Sequence, residues 1–196
     1  RQGDIRAHFG TYREAIEQSD ALLARAGDSA LVAGAIHASR VGKRLPMALY
    51  VHRASLFALH PVLRAYEGCA RVLLGNDERF NIVKLRADTA AISYLEYPDF
   101  DEVGHPALVR SIKVDLRELD IDIRNYDSSP NPPILHRKEL FVDATYEGRG
   151  AFKSLTESEE AAGLLDDGET IGLKRGWERL LEERGYTVRG HVLETI

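Results

Sequence analysis

Apolar residues Ile5, Phe9, Tyr12, Ile16 and Leu23 recur at alternating spacings of four and three, with Ser19 in the remaining seam position. That period predicts a helix over residues 4–26, weakened locally by Gly10. Gly27-Asp28 reads as a stop followed by the N-cap of a second helix over about 28–39, and two helices joined this way pack antiparallel. Gly42 to Pro46 breaks the pattern, and the apolar run Met47–Val51 fits either a short strand or a helical turn. Pro61 suits the first turn of a helix running to about Leu74. Its wide apolar face (Val62, Leu63, Tyr66, Cys69, Ala70, Leu73) marks it as a core helix, and Gly75-Asn76-Asp77 ends it.

Beyond Asp77 the period changes from about 3.6 to 2. Strands are expected over Phe80–Arg86 and Ala91–Tyr97, then over 112–117, where Ile112, Val114 and Leu116 alternate with Lys113, Asp115 and Arg117. Ile121 and Ile123 alternate with Asp122 and Arg124 in a fourth. Short links favour hairpins and an antiparallel sheet. Residues 127–133 are turn-rich, stiffened by Pro130, Pro132 and Pro133. Thr156-x-x-Glu159 has the form of a capping box opening a short helix. Leu173–Arg184 predicts another helix, stopped by Gly185, and Val188–Leu193 a last strand. The expected fold is α+β: N-terminal helices packed with a mainly antiparallel sheet of about four strands, followed by short C-terminal helices. A single domain over 1–196 is expected, helical over 1–75, sheet over 80–126, loop and helices over 127–196.

Composition narrows the setting. The chain has 196 residues, 44% apolar and 29% charged, enough for a real core. One cysteine, Cys69, excludes an intrachain disulfide and fits a reducing, cytoplasmic compartment. No apolar run approaches the roughly 20 residues of a membrane span, so no membrane partner is expected. Arg1-Gln2-Gly3-Asp4 leads straight into a charged helix pattern, with no signal peptide. The single methionine is Met47, so the initiator is missing, and truncation or processing is the simple reading.

Net charge is −5, which argues against a general polyanion binder, but the charge is unevenly spread. Arg40 to Arg53 holds four Lys/Arg residues and no acid, whereas Thr156 to Thr170 holds six acids and no Lys/Arg. His136-Arg137-Lys138 follows the stiff proline loop, where Arg137 offers a planar fork and Lys138 a point charge for phosphate. Joined by Lys43, Arg44, His52 and Arg53, these residues form a candidate nucleic-acid-binding groove, which Lys84, Arg86, Lys113 and Arg124 would extend if they share its face. The bland alternative is a solvated surface with a local Glu139 ion pair. Lys174 and Arg175 open a helix with a helix-turn-helix flavour, but the upstream acids would repel DNA. Tyr94, Tyr97 and Tyr126 fit packing better than base stacking.

Familiar chemistry is missing. Gly148-Arg149-Gly150 lacks the third glycine of a dinucleotide fingerprint, and Gly42-Lys43 lacks the context of a P-loop. No His-Glu-x-x-His, Cys-x-x-Cys or Asp/Glu-x-Lys occurs, and the histidines, His105 and His191 among them, show no ligand spacing, so no metal site, cofactor or catalytic residue is assigned. Cys69 reads as a buried small hydrophobe. Glu96, Asp99, Asp101 and Glu102 offer oxygen ligands for a divalent cation, and with His136 would serve a hydrolase or nuclease; an exposed polar loop is the plainer reading. Asn131-Pro132-Pro133-Ile134 resembles the Asn-Pro-Pro-aromatic motif of amino-group methyltransferases, but the aromatic is replaced by Ile134 and no glycine-rich loop precedes it.

Longer segments carry a second likeness. Val41 through Arg53, Arg64 to Arg71, Ser93 to Phe100, Asn131 through Glu139, Gly163 to Asp167 and Gly176-Trp177-Glu178 resemble the DNA phosphorothioation-associated methyltransferase family over nearly the whole chain. The resembling region accompanies a separate methyltransferase domain, whose cofactor motif this sequence lacks. The resemblance implies a bacterial DNA-modification or phage-defence setting, with DNA and a methyltransferase domain as expected partners, and transfers no catalytic residue. Three functions follow as expectations: an accessory nucleic-acid-interacting domain, a metal-dependent hydrolase or nuclease, or a module that docks a methyltransferase domain. An exposed apolar patch within residues 1–26 would favour the last.

Overall fold

A computed structural model describes residues 2–196 apart from Asn76, Asp167 and Glu169. Its centre is a six-stranded antiparallel meander in which every strand pairs with its sequence neighbour: β1 (Lys43–Leu45), β2 (Ala48–His52), β3 (Ile82–Arg86), β4 (Ala91–Glu96), β5 (Arg110–Asp115) and β6 (Asp120–Asn125). The period-2 segments account for β3 to β6. The sheet therefore has two strands more than the expected four, and both lie at the basic end. β1 is only three residues long and β2 is buried at four of its five positions, so neither shows the alternation that marks a half-buried strand.

The helices α1 (Gln2–Phe9), α2 (Tyr12–Ala26), α3 (Ser29–His37) and α4 (Pro61–Leu74) precede and interrupt this sheet. The helix expected over 4–26 is two helices, because Gly10 adopts a left-handed φ of +81°. Thr11 then caps α2 in a reciprocal box with Glu14, satisfying amides that the break would strand. Asp28 caps α3 by accepting from the amides of Ala30 and Leu31. Pro61 opens α4, which lays Val62, Leu63, Tyr66 and Ala70 on one sheet face against Leu49, Val51, Val83, Leu85, Ile92 and Val114.

The β4–β5 loop and the C-terminal third cover part of the other face. Phe100, Leu108, Leu135, Phe141, Val142 and Phe152 pack on Ile82 and Leu95. A third apolar cluster joins Ile134, Leu164, Ile171 and Trp177, flanked by helix α6 (Lys174–Arg184) and the hairpin of β7 (Tyr186–Arg189) and β8 (Val192–Thr195). Gly185 ends α6 at a φ of +70°. The capping box expected at Thr156 is not one. Helix α5 spans Arg149–Ala161, so Thr156 and Glu159 lie inside it on the buried stripe with Phe152 and Leu155. Asn131 caps α6 from a distance, its side-chain oxygen accepting from the Arg175 amide at 2.9 Å. That commits the polar group on which a methyltransferase reading of Asn-Pro-Pro would depend. Short 3-10 turns at Arg53–Ala58 and Lys138–Leu140 complete the chain, and no helix among the described residues is long and apolar enough to cross a membrane.

Gly42 enters β1 at a φ of +95°, and a Cβ there would stand 2.7 Å from the Tyr50 carbonyl oxygen. Gly42→Ala is therefore expected to cost about 2–3 kcal/mol, from strain and a backbone collision together. Urea denaturation followed by circular dichroism measures it; an unchanged midpoint would contradict the account.

Candidate functional site

Of the seven cationic candidates, Arg44 and Arg53 are exposed, Lys43, His136 and Arg137 are half-buried, and His52 and Lys138 are buried. Lys43 is half-buried over the Phe141 ring, Arg44 is exposed with one N–H donating to the His37 carbonyl, and Arg137 pairs with Glu160. Burial, helped by the nearby Arg137 charge, lowers the Lys43 pKa. Arg40, Arg44 and Arg149 line a cavity of about 480 Å³ beside buried Glu139, whose pKa burial raises. The Arg149 Nε is buried there with no hydrogen-bond partner.

The others do not face a groove. His52 stacks on Phe100 with ring centroids 4.6 Å apart, and its Nδ1 accepts from the Ala54 amide at 3.2 Å. Burial pushes its pKa down to about 4, leaving it neutral at pH 7. Arg53 lies over Phe80 and donates to the Glu78 carbonyl at 2.5 Å. Arg137 takes a left-handed φ of +57°, which turns the following chain inward. Lys138 is consequently only 2% exposed. Its Nζ donates to the carbonyls of Phe100 and Val103 at 2.5 and 2.6 Å, lies 2.7 Å from His191 Nε2 and sits over the Phe152 ring. Desolvation pulls its pKa down to about 7. This lysine is a core polar hub, unsuited to a phosphate contact, and the expectation for it is corrected.

The sheet cations do share one face. Register places Lys43, Tyr50, Lys84, Ser93, Lys113 and Asp122 directly opposite one another in turn, one from each of the six strands. Because strands lie about 4.8 Å apart, the three lysines of this row follow at roughly 10 Å intervals. Arg86, Arg124 and Tyr126 flank the row, lining a shallow cavity with it. Lys84 sits 5.0 Å from the centre of the Tyr50 ring. Acids are interleaved: Arg86 pairs with Asp88, Arg124 with Asp122 and Lys113 with Asp115 at 3.8 Å. Such exposed pairs are worth only about 0–1 kcal/mol, so a phosphate can replace them at small cost.

The acidic candidates disperse. Glu96 is tied to Arg110 at 3.0 Å and Asp101 accepts from the Tyr146 hydroxyl at 2.7 Å, while Asp99 and Glu102 are exposed. His136 instead meets His105 and Glu159, which the sequence pattern did not single out. His105 Nε2 lies 2.6 Å from Glu159 Oε1, and the two imidazole centroids are 4.3 Å apart, both edge-on to Trp177. Burial and the neighbouring His105 drive the His136 pKa down to about 3. The three residues come from positions 105, 136 and 159, so no local spacing announces them. One signal was present: with the helix read from Arg149, Glu159 falls on the stripe of Phe152, Leu155 and Thr156, an acid where burial is expected. Comparison with protein-family models, curated proteins and solved structures gave no significant match.

Lys138 makes stability pH-dependent in a defined direction. Its folded pKa lies below the ordinary lysine value, so between about pH 7 and pH 10 the unfolded chain binds more protons and stability rises with pH. The burial cost is fully present below about pH 7. Urea midpoints at pH 7, 8 and 9 are expected to climb in the parent and to flatten in Lys138→Met; parallel profiles would show that Lys138 does not titrate in this range.

Proposed function

We propose that this chain is an accessory nucleic-acid-interacting domain that contacts phosphate backbone through the open half of its sheet, within a bacterial DNA-modification or phage-defence system. The observation that carries the reading is the cross-strand row of Lys43, Lys84 and Lys113 with Tyr50 among them. A sheet surface that alternates cations with an aromatic ring suits single strands, whose backbone is tracked by charge and whose bases stack on π-faces. Arg40, Arg44 and Arg149 continue the cationic surface around the β1 edge, with Arg137 near Lys43. The negative total charge confines attraction to this side of the molecule. The modification setting rests on the family resemblance of the sequence.

A second reading has its own observation. Phe9, Tyr12, Ile16 and Leu23, the apolar seam of α1 and α2, remain 41–68% exposed. That face favours a docking module, for which a methyltransferase domain is the expected partner.

Fluorescence anisotropy with single- and double-stranded DNA at two salt concentrations separates the readings. Lys84→Ala with Lys113→Ala is the informative variant, since Lys138 substitutions would disturb the core. Salt-sensitive binding of the parent is expected, tighter for single strands. The double variant should weaken it and reduce the salt slope by about 1.4, or about 0.7 for each single-strand phosphate that is no longer neutralised. No binding by the parent at low salt would reject the nucleic-acid reading in favour of docking.

A further inference from the structure

The buried contact between His105 and Glu159 presents a proton-counting problem. His105 Nδ1 lies 3.2 Å from the Leu135 carbonyl oxygen, an acceptor only, so Nδ1 carries the hydrogen. In the neutral ring Nε2 is then a lone pair, and it faces a carboxylate oxygen at 2.6 Å. His136 repeats the arrangement: Nε2–H donates to the Ile171 carbonyl at 2.8 Å, which leaves Nδ1 as a lone pair. That Nδ1 is buried without a partner, as is the second carboxylate oxygen of Glu159, a residue with no exposed surface. A single proton on His105 would satisfy the 2.6 Å contact and leave both other atoms orphaned, each at a cost of about 1–3 kcal/mol.

One cation satisfies all three groups at once. We infer that His105, His136 and Glu159 form a binding site for a divalent transition-metal ion of the zinc class. The ligand atoms already lie within 4.8 Å of one another. Tetrahedral ligands at about 2.0–2.1 Å from zinc stand roughly 3.3 Å apart, so the widest pair must close by about 1.5 Å. Each imidazole donates its outward N–H to a main-chain carbonyl, the support that fixes tautomer and ring orientation in metal-bound histidines. Two imidazoles and one carboxylate favour zinc over magnesium or calcium, which take oxygen sets. A water molecule completes the fourth position of the tetrahedral site.

The ion ties together the β4–β5 loop, the segment after β6 and α5, with Trp177 of α6 packed edge-on against both rings at 4.6 and 4.8 Å. It braces the C-terminal third, and the inference is independent of the nucleic-acid reading.

The test uses the full chain, stripped with a chelator and titrated at pH 7.5 with Zn²⁺ by calorimetry and with Co²⁺ by absorption. One equivalent of each is expected to bind, with the visible bands of four-coordinate Co²⁺ and an upward shift in Tm. Long-range ¹H–¹⁵N spectra should show His105 Nε2 and His136 Nδ1 moving on addition of Zn²⁺ while the opposite ring nitrogens keep their protons. His136→Gln and Glu159→Gln should lose the binding. No uptake by the parent, ring nitrogens that stay unmoved, or undiminished affinity in a cooperatively melting variant would each overturn the site. The spectra decide even if both variants fail to fold.

Discussion

A six-stranded sheet has two faces, and the packing of this molecule follows from the need to cover both with one chain. Strands β2 to β4 are buried on both sides along much of their length, so their apolar residues require partners above and below. The N-terminal helices supply one layer through α4. The other layer is built from loops, α5 and aromatic side chains, and it reaches only the end of the sheet that carries Ile82 and Leu95. The uncovered remainder becomes the polar row of lysines. Its existence is a by-product of incomplete coverage, and its chemistry follows from which residues the strands project there.

An irregular second layer has to satisfy main-chain groups that a helix would satisfy by itself. Lys138 does this for the carbonyls of Phe100 and Val103, in exchange for a displaced protonation equilibrium. Asn131 does it for the start of α6, and the two imidazoles do it for Leu135 and Ile171. The polar core is thus concentrated where regular structure is sparse, and charge read as surface in the sequence is there drawn inside.

Periodicity made the helical ends and strands β3 to β6 legible. Pro61, Asp28 and Gly185 each acted where their backbone chemistry says they should. β2 was ambiguous because a strand buried on both faces loses its alternation, and β1 is too short to establish one. At Thr156 a local motif competed with helix period, and the tertiary burial of Glu159 decided for the period. The site residues were less legible still. Lys138 and Arg137 are adjacent in sequence, and a single left-handed residue sends them in opposite directions. His105, His136 and Glu159 converge only through packing of the C-terminal third. The side to which the sheet cations belong became readable only once register was known.

The meander order has a kinetic consequence. With each strand beside its sequence neighbour, pairing from β3 to β6 closes short loops first, and only the β2–β3 pair must wait for an intervening helix. The sheet and its helical layer are complete in sequence by Asn125, so on a ribosome they can assemble as soon as that residue emerges. The second layer comes later, and Trp177, near its end, closes around histidines that have been waiting for it. Until Leu135 to Phe152 have emerged, the apolar end of the sheet around Ile82 and Leu95 lacks most of its cover. The nascent chain is therefore most vulnerable to misassociation between the emergence of Asn125 and that of Phe152.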